Sequence, residues 1–358
     1  MSPDSEQPNP LIAGYHSSVA YAYPENHARA IIKTVAYHRK DFDLEVIWFP
    51  AHTPSDAASS LAADHQKPTA SLGELDKLPL ELIINICWQL DIESLFRFRQ
   101  VNARGQQIVN TLHEYRVIIK YALNVFLALL RTRKTPSVTL EEFYSLLCTQ
   151  ECSVCGKYGN LVYLPTWVRC CSSCLHSNSP ATNTTSLGSV KRLLSLSQDA
   201  LQNFPRFKTL PGIYGTTESS YKHRIICVPT QHVIAAYEKG YNEKPILSCF
   251  SPPHQKYALD FKACCVLPVY NPQNRQVEYG VSCAGCEVFL QDVVSRLHQK
   301  WAFVARDMVY SHSEYLEHFA WCEQAQLLWE ESAHGMREPE GLPMSCKRGG
   351  FFERCSSC

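Results

Sequence analysis

Between Leu75 and Val109 apolar side chains recur at helical spacing in three successive bursts, each opened by a residue suited to starting a helix. Leu78, Leu82, Ile83, Ile86 and Leu90 fall on one stripe, and Pro79, tolerated only in a first turn, marks its beginning. Asp91 is placed to cap a second helix, with Glu93 in the positive first turn and Leu95 and Phe98 on the buried side. Val101 closes that helix, and Asn102 can cap a third that carries Ile108, Val109 and Leu112. The pattern then predicts a strongly apolar helix over 114–131. Thr139-Leu-Glu-Glu142 is a capping-box match opening another that ends near Cys148.

Beyond Cys148 the chain shifts to cysteine, short strands and turns. Strands are expected over 161–164, 167–169, 225–228 and 277–282, a polar loop over 177–189, a helix over 190–203 and a turn over 211–215. A long helical part runs from 288 to 331 with a break near Ser311, and its apolar face of Leu316, Phe319, Trp321, Ala325, Leu328 and Trp329 reads as core. Residues before 71 are rich in Pro, Ser, Ala and His, so most of that arm is expected to be mobile, with a helix near 27–38 and a strand over 44–49. The Gly- and Pro-containing end, through Cys355-Ser-Ser-Cys358, reads as an exposed tail.

Of the 358 residues 45% are hydrophobic, the share of an ordinary soluble protein, and 34 Lys plus Arg balance 34 Asp plus Glu. That balance supplies no global field to attract nucleic acid or an anionic membrane. No apolar run approaches the roughly 20 residues of a membrane span, and the first residues lack a secretory signal. Seventeen cysteines are therefore expected in a reducing compartment, cytoplasmic or nuclear, where thiolates bind metal or stay buried more often than they form disulfides.

Cys152-Ser-Val-Cys155 and Cys171-Ser-Ser-Cys174 are two C-x2-C pairs separated by 15 residues, the spacing of a four-thiolate zinc site. Two intervening residues let a tight turn aim both sulfurs at one ion, and Gly156 can adopt the positive φ such a knuckle requires. Cys170, beside Cys171, is an alternative ligand; the repeated spacing favours Cys171. A second set combines Cys283-Ala-Gly-Cys286 with His318 and Cys322, whose four-residue separation would place both on one helix face. The 31 residues between Cys286 and His318 demand a helical insertion that folds back, and Cys264 and Cys265 compete as ligands. The two sets could also share one ion, so the count is one or two structural zinc ions. Four protein ligands close such a site, and the chain carries no zinc-protease, deaminase, nucleophile-elbow or phosphate-loop motif. A non-catalytic protein is expected.

The order Leu-Pro, aliphatic stripe, Leu-Asp, Leu, Phe-Arg-x-Val over 75–109 resembles the F-box family. The wider layout, with C-S-V-C-G-K-Y-G-N-L-V-Y-L-P, R-C-C-S-S-C-L and L-E-H-F-A-W-C downstream, is similar to F-box proteins of filamentous fungi over roughly 75–330. The resemblance implies docking of a Skp-type subunit by Leu78, Pro79, Leu82, Ile83, Ile86, Leu90, Leu95, Phe98 and Val101. The remainder of the chain would then present an unknown target protein for ubiquitination. Where many F-boxes carry Trp or Phe in the third helix, this chain has Gly105.

The expected fold is mainly α with small β elements: an arm (1–70), a three-helix F-box (71–118) and a helical connector (119–150). A zinc-knuckle module (151–176), an α+β region with the second metal set (177–332) and a flexible tail (333–358) follow. The competing reading is a zinc-dependent nucleic-acid or chromatin binder. Its support is slight, because residues 151–175 set only Lys157 and Arg169 against Glu151.

Overall fold

A computed structural model describes residues 16–50, 56–57, 59–61, 71–132, 138–177, 179–194, 204–241, 259–294 and 300–356. It is mainly helical with two- and three-stranded sheets, and it divides into two compact units. One joins the chain before Phe42 to the chain after Tyr279; the other runs from Phe42 to Tyr279. Each candidate metal set lies within one unit.

In the central unit the three expected helices are Leu80–Gln89, Ile92–Val101 and Ala103–Thr111. Asp91 and Asn102 cap the second and third, accepting from the Ser94 and Gly105 amides at 3.0 and 2.9 Å. The segment expected as one helix over 114–131 is two, His113–Tyr121 and Leu123–Thr132, hinged where Ala122 leaves helical geometry (φ −129°, ψ 29°). Their inward faces bury Tyr115, Ile118, Val125 and Phe126 almost completely, each side chain stabilising the fold by roughly 1.5–3 kcal/mol. Thr139 opens helix Leu140–Cys148 with both halves of its capping box, and the Ile92 and Leu140 amides tie that helix start to the turn between the first two helices.

The middle strand Leu161–Tyr163 pairs antiparallel with Val168–Cys170 on one side and Cys264–Val266 on the other. A second sheet orders Thr184–Ser186, Ile226–Pro229 and Phe207–Lys208. The first of these strands, with a following helix Leu187–Leu194, occupies the stretch expected as a polar loop. Its polar residues are buried because they are paired. Thr184 N–H donates to Asp260 Oδ1 at 2.5 Å, the Tyr163 hydroxyl to Asn183 O at 2.8 Å, and the Thr185 and Thr230 hydroxyls lie 2.8 Å apart. The expected turn at 211–215 is strand Gly212–Tyr214, in a hairpin with Ser219–Tyr221. Residues 195–203 of the expected helix lie outside the described residues.

The other unit corrects the readings of both chain ends. The helix expected near 27–38 is present as Ala28–Val35 and buries Ile31 and Val35 against helices His312–Phe319 and Glu323–Glu331, so residues 16–41 are packed where most of the arm was expected to be mobile. The short strand Ala36–Tyr37 pairs with Ser282–Cys283. Lys40–Glu45 is helical, so of the strand expected over 44–49 only Ile47 makes a bridge, within the central unit to Cys265. The expected tail holds helix Met344–Arg348 and buries Cys346 and Cys355. Asp41 N–H donates to Gly349 O at 3.3 Å, and the Arg39 and Arg306 guanidiniums lie over the Phe351 ring at 5.6 and 4.8 Å. A charge cluster thus fastens the chain end in place. Most of the apolar face read as core is inside, but Trp321 is exposed.

Candidate metal centres and an exposed apolar stripe

Cys152, Cys155, Cys171 and Cys174 bring four sulfurs within 4.8 Å of one another in the central unit. The Cys155 and Cys171 sulfurs are 3.7 Å apart. A tetrahedral ion with metal–sulfur bonds of about 2.3 Å spaces its sulfurs about 3.8 Å apart, whereas a disulfide would bring them to about 2.05 Å. The donor set therefore fits a cation. The knuckle forms because Cys152 O accepts from Gly156 N–H at 2.9 Å with Gly156 at φ +73°. Val154 and Cys174 N–H groups point at the Cys152 and Cys171 sulfurs from 3.4 and 3.3 Å, a favourable arrangement for thiolates. The Cys171 thiol donates toward Cys152, which holds Cys152 at about 4 and pushes Cys171 up, while burial raises Cys174 to about 12.

Cys171, not Cys170, belongs to this set. Cys170 ends its strand with the side chain in the core beside Cys264, because neighbouring strand residues face opposite ways. Cys264 and Cys265 are buried in their own strand and ligate nothing in either set. Arg169, between the ligand pairs, is almost wholly buried. Its guanidinium donates to the carbonyls of Gly159 (2.6 Å), Leu267 (2.7 Å), Pro268 (2.9 Å) and Leu146 (3.0 Å). It staples the knuckle to the neighbouring helix and strand, and the cation counted toward phosphate binding is not available for it.

The second set, Cys283, Cys286, His318 and Cys322, also lies within 4.8 Å, so the first two C-x2-C pairs share one candidate centre and Cys283-Ala-Gly-Cys286 belongs to another. Cys283 and Cys322 sulfurs are 3.7 Å apart, and Cys286 Sγ is 3.3 Å from His318 Nε2; a tetrahedral S–N edge is about 3.5 Å. His318 and Cys322 do not share a helix. The helix ends at Phe319, and Cys322 is the N-cap of the next, its N–H donating to His318 O at 3.0 Å. Burial would raise Cys283, but hydrogen bonds from Cys286 and Cys322 and the neighbouring His318 bring it well below the usual thiol range.

Two contributors to this centre escaped the sequence reading. Tyr310 stacks on the His318 ring at 4.9 Å and fixes its plane. Gly285 lies so close to the helix carrying Ala325 that a Cβ would sit 2.2 Å from Ala325 N. Its position inside C-A-G-C is the signal that could have found it.

The nine residues assigned to partner docking divide between two faces. Ile83 and Leu95 are core residues, at 3% and 0% exposure, which corrects their assignment to a docking surface. They face inward because they lie on the inner side of their helices. Leu78, Pro79, Leu82, Ile86 and Val101 are exposed, and Leu90 and Phe98 half-buried. Leu75 and Leu80, not assigned, extend the exposed stripe. Gly105 is explained by packing: a Cβ there would meet Phe98 O at 2.6 Å, so the third helix can approach the second only as glycine. Among the described residues no helix is long and apolar enough to cross a membrane. No protein-family model matches the chain, and no curated protein or solved structure matches it.

Proposed function

We propose that this chain is a non-catalytic, zinc-stapled adaptor of a Skp–cullin–F-box ubiquitin ligase, acting in the cytoplasm or nucleus. The observation that carries the reading is the two-sided character of the helix triplet. Ile83, Cys87, Leu95 and Val109 fill its core, while Leu78, Leu80, Leu82, Ile86 and Val101 stand in solvent on the helices that resemble an F-box. Exposed apolar side chains clustered on one small unit favour a protein partner. The Skp-type subunit is the partner that the resemblance implies.

Zinc suits both centres, since three or four thiolates with at most one imidazole in tetrahedral reach are its structural ligand sets. Bound there, it would crosslink segments distant in sequence; four protein ligands leave no position for a substrate. The remaining surface would hold the target protein.

Leu82→Asp tests this directly, because Leu82 is 47% exposed and its replacement leaves the core intact. The full chain is expected to retain a purified Skp-type subunit and the Leu82→Asp variant to lose it with an unchanged melting temperature. Equal retention by both, or none by the wild type, overturns the proposal.

A further inference from the structure

A cavity of 710 Å3 opens in the unit formed by the two chain ends, between helix Ala28–Val35 and the segment 335–347. It is an open groove with room for a few side chains. Three cations line it, Lys33, Arg337 and Lys347, against one carboxylate, Glu338, which is ion-paired with Lys347. Glu331, nearby in sequence, turns its carboxylate to the Gly341 amide. Ala36 and Leu342 add apolar lining beside these charges.

The turn that leads into this lining is fixed. Ala333 and His334 hold left-handed backbone conformations at φ 52° and 58°, kept there by a hydrogen bond from His334 N–H to Trp329 O at 3.2 Å and by Arg337 N–H to Ser332 O at 3.0 Å. Arg337 Nε also donates to Glu331 O at 3.0 Å, fixing the base of its side chain while leaving the rest of the guanidinium exposed. A turn ordered before the ligand arrives loses little conformational entropy on binding.

We propose that this cavity seats a peptide segment carrying Asp or Glu beside an apolar residue, the carboxylate meeting Lys33 and Arg337 and the apolar side chain lying against Leu342. Excess cationic charge beside apolar lining selects that combination and disfavours basic or wholly apolar peptides. The inference deepens the adaptor reading by naming the class of target. It rests on that reading for its consequence alone, and its test contains no Skp-type subunit, so the two fail separately.

The test is an array of random heptapeptides probed with the zinc-loaded full chain, followed by fluorescence anisotropy on the strongest sequences. Peptides containing Asp or Glu next to an apolar residue should be enriched, with binding that weakens as salt rises. The exposed-site variants Lys33→Ala and Lys33→Glu/Arg337→Glu should weaken binding, the double reversal at least tenfold, with zinc content unchanged. No enrichment of acidic peptides, equal binding of their Asn and Gln counterparts, or affinity unmoved by the double reversal overturns the proposal.

Discussion

Gly105 lets the third helix of the triplet lie directly against the backbone of the second. In the sequence Gly105 looks like a missing large side chain, yet the Phe98 carbonyl occupies the space a Cβ would need. Gly105→Ala would gain about 1 kcal/mol of helix propensity and lose about 1–3 kcal/mol to overpacking. Thermal denaturation is expected to show a net loss. Arg169 reads as a surface cation, but its guanidinium is spent on backbone carbonyls, and burial lowers it to about 10. Arg169→Leu would leave several buried carbonyls unpaired at roughly 1–3 kcal/mol each. It should destabilise the central unit more than any exposed-stripe variant does, measured by denaturant unfolding. Such burial is invisible in one sequence, because a charged residue between polar neighbours looks solvated.

At the same scale, Asp307 carries a pH dependence. Burial would raise its carboxyl, but the hydrogen bond and charge of Arg306 and the charge of Arg39 more than offset that and hold it below the usual range. A depressed folded value means the contribution is complete above the unfolded value near 3.8 and is lost as pH falls through the lower folded one. Asp307→Asn should remove that part of the acid destabilisation. An acid-unfolding curve with unchanged slope in the variant would contradict the assignment.

Among the elements, those opened by a side-chain cap were legible. The helices after Asp91, Asn102 and Thr139 begin where their expected caps stand, and the break expected near Ser311 falls where Ser311 caps helix His312–Phe319. The break at Ala122 was not, because no Gly or Pro marks it and the apolar pattern runs straight through. The two groups of candidate metal ligands that the fold brings together were legible from spacing, but the helix boundary between His318 and Cys322 was not, since four-residue spacing fits both a helix face and a turn into a cap. The two knuckles also differ in exposure. Cys155 is exposed, whereas every cysteine of the second centre is buried and Tyr310 covers its histidine. A chelator such as EDTA should therefore strip the first centre faster, giving two kinetic phases of zinc release, with the slow phase accelerated by Tyr310→Ala. A single phase insensitive to Tyr310→Ala would contradict this difference.

Over the whole molecule, composition and periodicity disclosed a mainly helical chain with small sheets, but not which segments fold together. The pairing of Ala36–Tyr37 with Ser282–Cys283, and the closure of residues 344–356 onto Arg39 and Asp41, join segments some 250 to 310 residues apart. Local pattern has no access to such separations, so both chain ends looked loose. Their closure places the second candidate metal centre and the cationic cavity in one unit, while the exposed stripe and the first candidate centre belong to the other. Native mass spectrometry of the full chain co-expressed with a Skp-type subunit tests the adaptor account most directly. A one-to-one complex in which the chain retains two zinc ions is expected, dissolved by Leu82→Asp with both ions kept. A chain that holds its two zinc ions yet appears only without the subunit would contradict it.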